Sequence, residues 1–398
     1  MEFDFEKARL ETPGCRHVTH FNNAGAALQP QCVLDAVTEH QQLEARIGGY
    51  EAAERHNQRL EKVYTSIANL IGCSVDEVAL VENATRAWDM AAYAIPLGPG
   101  DRVLCANAEY ASNYIALLQL CKRSGATLEA IPDDAHGQVS LQALEARLDD
   151  RVKLVSLTHV PTNGGLVNPA VEVGRLVRPS NAYYLLDACQ SAGQLALDVA
   201  EIDCDFLTVT GRKYLRGPRG TGFLFVRREV CERLEPPFLD LHSAVWLSTD
   251  RYEVRRDARR FECWEANLAA RLGLGAAVDY ALSWGLASIE KRVTALAQRI
   301  RTNLAAVPGV RVHDLGKQRC GIVSFTIDGK EPDAIRRALL DKRINVSITD
   351  RGSTLLDMDQ RKLVGMIRAS VHYYNTEEEI DLLVENVATI SAMPKLPA

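Results

Sequence analysis

The sequence predicts an α/β protein: a large domain built on a mostly parallel sheet flanked by helices, followed by a smaller α+β domain. Three observations predict it. Short, nearly continuous apolar runs alternate with segments of helical period through the middle of the chain, the pattern of strands covered by helices on both faces. From about residue 266 this texture gives way to two long helical stretches and then a second set of strands. At 398 residues the chain is also longer than one core usually serves.

The elements follow in order. "DRVLCA" (101–106) reads as a strand, and "SNYIALLQLCKRSG" as a helix with Ser112 as its cap and Gly125 as its stop. Next come a strand over 127–132, a helix near 140–149, a strand over 153–158, a helix near 169–178 and the strand "AYYLLDA" (182–188). "CDFLTVTG" (204–211) and "TGFLFVR" (221–227) complete the large sheet. "ANLAARLGLGAAVDYALSWG" and a helix near 288–306 lead into the second domain. Its strands are "GVRVHDL", "GIVSFTI", "NVSIT" and "GMIRASV", with helices over 332–341 and 376–391. The expected division is a segment over 1–25 docking near the small domain, a large domain over 26–280 and a small domain over 281–398.

Composition narrows the function classes. Basic residues number 46 and acidic ones 52, with no basic block, so nucleic acid is not an expected partner. The ten cysteines lie scattered with no CxxC pair, which argues against a metal site or a disulfide framework. No apolar run reaches the ~18 residues that a membrane span needs. The opening "MEFDFEKARLE" has no apolar leader core, and the expected location is the cytoplasm.

In open α/β sheets, ligands bind beyond the carboxyl ends of the strands. Asp187 closes the apolar run "YYLLDA", and Lys213 follows the next one in "LTVTGRK". Tyr110 lies beyond the 101–106 strand. In "VALVENATRAWDM", Asn83, Ala84 and Thr85 sit at a strand-to-helix junction, where free backbone N–H groups favour an anion. A lysine, an aspartate, an aromatic and a helix N-terminus together match pyridoxal 5'-phosphate. That cofactor needs an amine to attach to, a carboxylate on its ring nitrogen, an aromatic on its ring face and a phosphate cradle. Burial and the neighbouring Arg212 both lower the lysine pKa, which favours the neutral, nucleophilic amine.

These motifs carry a resemblance. "HFNNAGAALQP", "VENATRAWD", "AEYASN", "SLTHVPTNGG", "LLDACQSAGQLALDV", "CDFLTVTGRKYLRGPRGTGF", "RRFECWEAN" and "IRASVHYYNTEEEID" occur in order along nearly the whole chain. In this the chain resembles the class V aminotransferase superfamily of fold type I pyridoxal phosphate enzymes, which holds cysteine desulfurases and selenocysteine lyases. The resemblance implies that Lys213 bonds the cofactor and that Asp187 pairs with its ring nitrogen. It implies that Gln190 contacts the ring hydroxyl and that Tyr110 stacks where desulfurases carry a histidine. By the same resemblance Thr85, Thr210 and Arg212 fall at phosphate positions, Arg368 at the substrate carboxylate, and Asn23 and Thr162 on substrate-side loops. A homodimer with its active site between subunits is also implied.

Two departures set the expected chemistry. The stretch "NVSITDRGSTLLDMDQ" (345–360) has no cysteine where desulfurases carry their sulfur acceptor. Glu265 stands where they place a phosphate-binding threonine from the partner subunit, and is expected on the substrate side. With Tyr110 and "GRKYLRGPRGTG", these features are similar to the branch of ergothioneine-pathway C–S lyases and isopenicillin N epimerase-like proteins. The expected activity is C–S lysis of a cysteine S-conjugate or its sulfoxide. Epimerisation, transamination and decarboxylating deamination are alternatives on the same cofactor, and a non-catalytic binding protein is the alternative from another class. His159 and the run His372–Tyr374 are expected to be packing residues, and "GPRGTG" a tight turn rather than a phosphate loop.

Overall fold

A computed structural model describes residues 3–394. Seven strands form the large sheet: β1 (Val78–Val81), β2 (Arg102–Ala106), β3 (Thr127–Ile131), β4 (Val152–Thr158), β5 (Tyr183–Asp187), β6 (Phe206–Thr210) and β7 (Gly222–Val226). Their order is β1-β7-β6-β5-β4-β2-β3. All neighbours run parallel except β7, which is antiparallel to both β1 and β6. The central strands carry apolar residues on both faces because two helical layers cover them. Leu186, Leu207 and Val209 pack into one core, while Leu185, Phe206 and Leu224 pack into the other.

The second sheet is antiparallel, in the order β8 (Val310–Val312), β9 (Ile322–Ile327), β11 (Gly365–Ser370), β10 (Ser347–Asp350). The helices Leu286–Ala305, Pro332–Asp341 and Glu377–Ala392 close its core. Thr376 and Glu379 begin the last of these with reciprocal side-chain-to-backbone bonds, a capping box. The N-terminal segment is woven into this unit. Thr19–His20 pairs in parallel with Ile344–Asn345, Phe21 is buried in the second core, and the Ser370 N–H donates to the Phe21 carbonyl at 2.7 Å.

Some local expectations differ from what forms. Ser112 lies inside the first turn of the Ala111–Ser124 helix; Tyr110 is the capping position, and its side chain makes no cap bond. Gly125 does end that helix, in the left-handed conformation with φ +78°. The helix near 140–149 spans only Leu141–Glu145, capped by Ser140. Past its end, the Arg147 carbonyl accepts from Arg102 on β2 at 2.8 Å. The expected elements did not include the helices Gln31–Ile47, Gly49–Arg55 and Asn57–Ile71, nor the exposed hairpin Ala244–Ser248/Arg251–Val254. Among the described residues no single helix is long and apolar enough to cross a membrane.

Candidate active site

A cavity of about 250 Å³ opens at the carboxyl ends of β2, β4, β5 and β6. β5 delivers Asp187 to its floor. The Asp187 carboxylate accepts the Cys189 N–H at 2.9 Å on one oxygen and the Asn113 amide at 2.9 Å on the other. This fixes its plane, while the side chain still borders the cavity. β6 delivers Thr210, Arg212 and Lys213 to the same cavity. The turn after Lys213 is rigid because Arg216, at φ +63° and buried, anchors it. Its guanidinium donates to the Leu28 carbonyl at 2.8 Å and the Tyr373 hydroxyl at 2.7 Å, and it packs over the rings of Tyr373 and Tyr374.

The Lys213 amine has its pKa pushed down, first by burial and then by the positive charges of Arg212 and Arg368; Cys189 and Asp187 oppose the shift. A lysine displaced in this direction becomes a neutral base more readily. Tyr110 lies half-buried on the cavity wall, its N–H held by the Glu109 carboxylate at 3.0 Å. Asn83, Ala84 and Thr85 border the cavity at the start of the Ala84–Ala92 helix. Asn83 caps that helix by accepting the Arg86 N–H at 2.9 Å.

On the opposite side, Gln190 donates to the Ala24 carbonyl at 3.0 Å and to the Thr162 hydroxyl at 3.3 Å. Its own carbonyl oxygen is buried with no partner. Arg368 is also buried and donates to the Thr162 hydroxyl at 2.6 Å and carbonyl at 3.1 Å. Its Nε has no partner, and no carboxylate pairs with it among the described residues. Burial pulls its pKa down to about 10. A buried cation without a counter-ion is costly, so this is a place prepared for an anion.

The structure therefore brings Asn83, Ala84, Thr85, Tyr110, Thr162, Asp187, Gln190, Thr210, Arg212 and Lys213 to one cavity, with Arg368 bonded to its wall through Thr162. Asn23 is not on that wall. Its amide is used by the carbonyls of Ser370 at 2.7 Å and His20 at 3.2 Å, and its oxygen accepts the Tyr374 hydroxyl. Glu265 is exposed and outside the cavity, because the chain turns outward after Phe261 enters the core. The buried acid of that stretch is Glu262, held by the Tyr64 hydroxyl, the Leu80 N–H and Arg271. Sequence reasoning missed Asn113, Thr158, Cys189 and Arg219, which also border the cavity. Asn113 lies in the first turn of the Ala111–Ser124 helix, and nothing in the sequence pattern marks it as facing the cavity.

His159 is buried, its N–H on the Asp187 carbonyl at 3.0 Å, and burial lowers its pKa to about 4. His372 is buried against Tyr374, ring on ring at 5.1 Å. Neither borders the cavity, and the His159 Nδ1 is buried without a partner.

The orphaned Gln190 oxygen and the half-buried amine of Lys213, on one cavity with the Asp187 carboxylate, fit pyridoxal phosphate at this place. Sheet order and cavity together define the class, an α/β enzyme of fold type I. The chain belongs to the class-V aminotransferase family, whose profile matches residues 19–383. A probable cysteine desulfurase of Methanothermobacter thermautotrophicus is 30% identical over 395 residues, spanning 98% of each chain. The apo cysteine desulfurase of Thermococcus onnurineus NA1 superposes with a TM-score of 0.91 at 26% identity, covering 98% of both chains. The cystine C–S lyase C-DES, in complex with its product cysteine persulfide, shares the fold with a TM-score of 0.86 at 24% identity, over 95% of this chain and 99% of its own.

Proposed function

We propose that the protein is a pyridoxal phosphate-dependent lyase that breaks the C–S bond of a cysteine S-conjugate or its sulfoxide. The observation that carries this is the buried Arg368 guanidinium, without a counter-ion among the described residues and bonded to the wall of Lys213's cavity through Thr162. The guanidinium grips an α-carboxylate in a planar fork; the Lys213 amine, its pKa lowered, is the more readily available as a neutral base.

Pyridoxal phosphate, when bound, supplies an electron-accepting ring that stabilises negative charge at the substrate Cα. Asp187 holds the ring nitrogen, Gln190 the ring hydroxyl and Tyr110 the ring face. Thr85, Thr210 and Arg212 with the helix amides at 83–85 hold the phosphate. Arg368 and Thr162 orient the substrate carboxylate, and Lys213 Nζ takes the Cα proton. The C–S bond then breaks with its electron pair on sulfur. With one water, the three-carbon remainder ends as pyruvate and ammonia. A sulfenate leaves more readily than an alkyl thiolate, which favours the sulfoxide.

The 345–360 segment offers no thiol to receive sulfur, and Cys320 is fully buried at a strand entry. This supports release of sulfur with its substituent, and favours the branch of C–S lyases and epimerase-like proteins. A second reading, release of sulfur from free cysteine, draws on the family of its relatives. Pyruvate and alanine release across a panel of cysteine conjugates, their sulfoxides and free cysteine separates the two, because elimination leaves pyruvate whereas removal of neutral sulfur from cysteine leaves alanine. Lys213→Ala is expected to abolish release. No turnover of any conjugate, with turnover of an amino donor and a keto acid instead, overturns the lyase reading.

We infer a homodimer that completes the site. Asn83, Thr85, Arg219 and Gly220 leave the phosphate end of the cavity open to solvent. Beside it lies an apolar surface: Phe238 stacks under Arg86 at 4.9 Å, and Trp246, Tyr252 and Trp264 are more than half exposed. Such exposed aromatics mark an interface, and Phe238 under Arg86, next to Thr85 at the cavity mouth, supports a second copy whose Trp264–Glu265 stretch reaches this site. The same symmetry returns the favour to the partner's site. All ten cysteines are free, which supports a cytoplasmic location.

A further inference from the structure

Behind the cavity floor lies a second buried acid that the lyase chemistry does not use. Glu109 is 3% exposed. One carboxylate oxygen accepts the Tyr110 N–H at 3.0 Å, the Asn113 amide at 3.0 Å and the Thr158 hydroxyl; the other accepts the Ser156 hydroxyl at 3.0 Å. The same Asn113 nitrogen donates to Asp187 at 2.9 Å. Only an amide nitrogen, with two hydrogens, can sit between two carboxylates in this way. That settles which way Asn113 points.

We propose that Glu109 is a positioning residue that sets Asp187 and Tyr110 as one unit, gripping the first through Asn113 and the second by its backbone N–H. The inference rests on the reading that pyridoxal phosphate occupies this cavity. Four donors converge on one carboxyl group, and two of them, the Tyr110 amide and the Asn113 amide, cannot reverse their direction. They demand an acceptor at 109. Burial pushes the Glu109 pKa up, and the bonds from Thr158 and Asn113 oppose that. The arrangement thus holds an acceptor in place where burial alone favours a donor. If the acceptor is lost, the Asn113 amide is free to turn, and Asp187 keeps only the Cys189 N–H. Its hold on a protonated ring nitrogen then weakens.

Several charges share this space and bear on the outcome. Cys189, His159, Lys213 and Asn113 surround Asp187, with Arg212 and Arg368 acting on Lys213. Cys105 and Asp187 face Glu109. Among the described residues Glu109 is the side chain that bonds both the Tyr110 N–H and, through Asn113, the Asp187 carboxylate; the Tyr110 N–H also reaches the Thr158 hydroxyl at 3.3 Å.

The test uses Glu109→Leu, which keeps the bulk but removes the acceptor. Glutamine would keep one, because its amide oxygen can take the Tyr110, Asn113 and Thr158 donors while its nitrogen faces only the reversible Ser156 hydroxyl. The holoenzyme is reconstituted with pyridoxal phosphate, and two quantities are read: the cofactor dissociation constant and the pH midpoint of its visible band. The expected result is a dissociation constant raised about tenfold and a midpoint lowered by about one pH unit, because a poorly held anion stabilises a cationic ring less. Asn113→Ser, which leaves the other three donors on Glu109, is expected to move both in the same direction, and it decides the matter if the first variant does not fold. Unchanged values in a folded variant of either kind overturn the inference. A wild-type chain that takes up no pyridoxal phosphate overturns instead the reading beneath it, so the two failures are distinguishable.

Discussion

Arg368 is prepared for a ligand that only a flat, two-pronged cation can grip. Arg368→Lys keeps the charge and loses the fork, so KM for an amino acid substrate is expected to rise about tenfold or more with a smaller change in kcat. Steady-state kinetics on any turned-over conjugate checks this. His159 gives a second residue-level expectation. Its folded pKa is about 4, against an ordinary value near 6.5. Between those values the unfolded chain binds the proton and the native one does not, so stability falls as pH drops through this window, by up to about 3 kcal/mol. Above the window both states are neutral and the effect vanishes. Denaturant melts at several pH values should show the fall in wild type and a flatter profile in His159→Asn. At this scale the sequence was legible wherever a polar residue closes a buried apolar run, as Asp187, Thr210 and Lys213 do. It was illegible where partners come from elsewhere in the chain. Glu109 and Asn113 look like loop polars until β4 brings Ser156 and Thr158 beside them. Glu262 and Glu265 are indistinguishable in "FECWE", and only packing turned the first inward.

Among the elements, the strands of the large sheet were readable because burial on both faces demands continuous apolar runs. The short span of the Leu141–Glu145 helix was not, since the residues after it are tied to β2 through Arg102, a partner distant in sequence. The hairpin over 244–254 was not, because no core pattern marks a surface ribbon. Two elements carry expectations of their own. Gly193, at φ +92°, lets the loop after β5 press against the backbone of Tyr214, next to Lys213; a Cβ there meets the Tyr214 carbonyl carbon and oxygen. Gly193→Ala is expected to cost at least about 2 kcal/mol and to weaken cofactor retention, measurable by thermal unfolding with and without pyridoxal phosphate. In the small domain, Arg301 and Asp314 form a buried pair at 2.6 Å, and Arg301 also donates to the carbonyls of Cys320 and Ile322 at 2.7 Å. Asp314→Ala strands that cation and should cost about 3–5 kcal/mol in a denaturant melt.

For the molecule as a whole, the open phosphate end and the apolar face beside it predict the assembly. Trp246→Glu is expected to shift a dimer toward monomer in sedimentation or light scattering, and to loosen the cofactor at the same time. A variant that stays dimeric and retains the cofactor as tightly as wild type argues that this face serves something else. The division of the chain remains a reading of texture, and the N-terminal segment shows why such a reading is difficult. Asn23 holds the Ser370 carbonyl across a separation of 347 residues, and Thr19–His20 forms a strand only with Ile344–Asn345. During synthesis, the Thr19–Asn23 stretch emerges long before its strand partner at 344–345 or the Ser370 carbonyl exists, although Ala24 and Leu28 can meet Gln190 and Arg216 earlier. Because Ala24, which supports Gln190, adjoins that stretch, the vitamin-derived group has no finished berth before the stretch finds its late partners, and a nascent chain stalled short of residue 344 should fail to capture it.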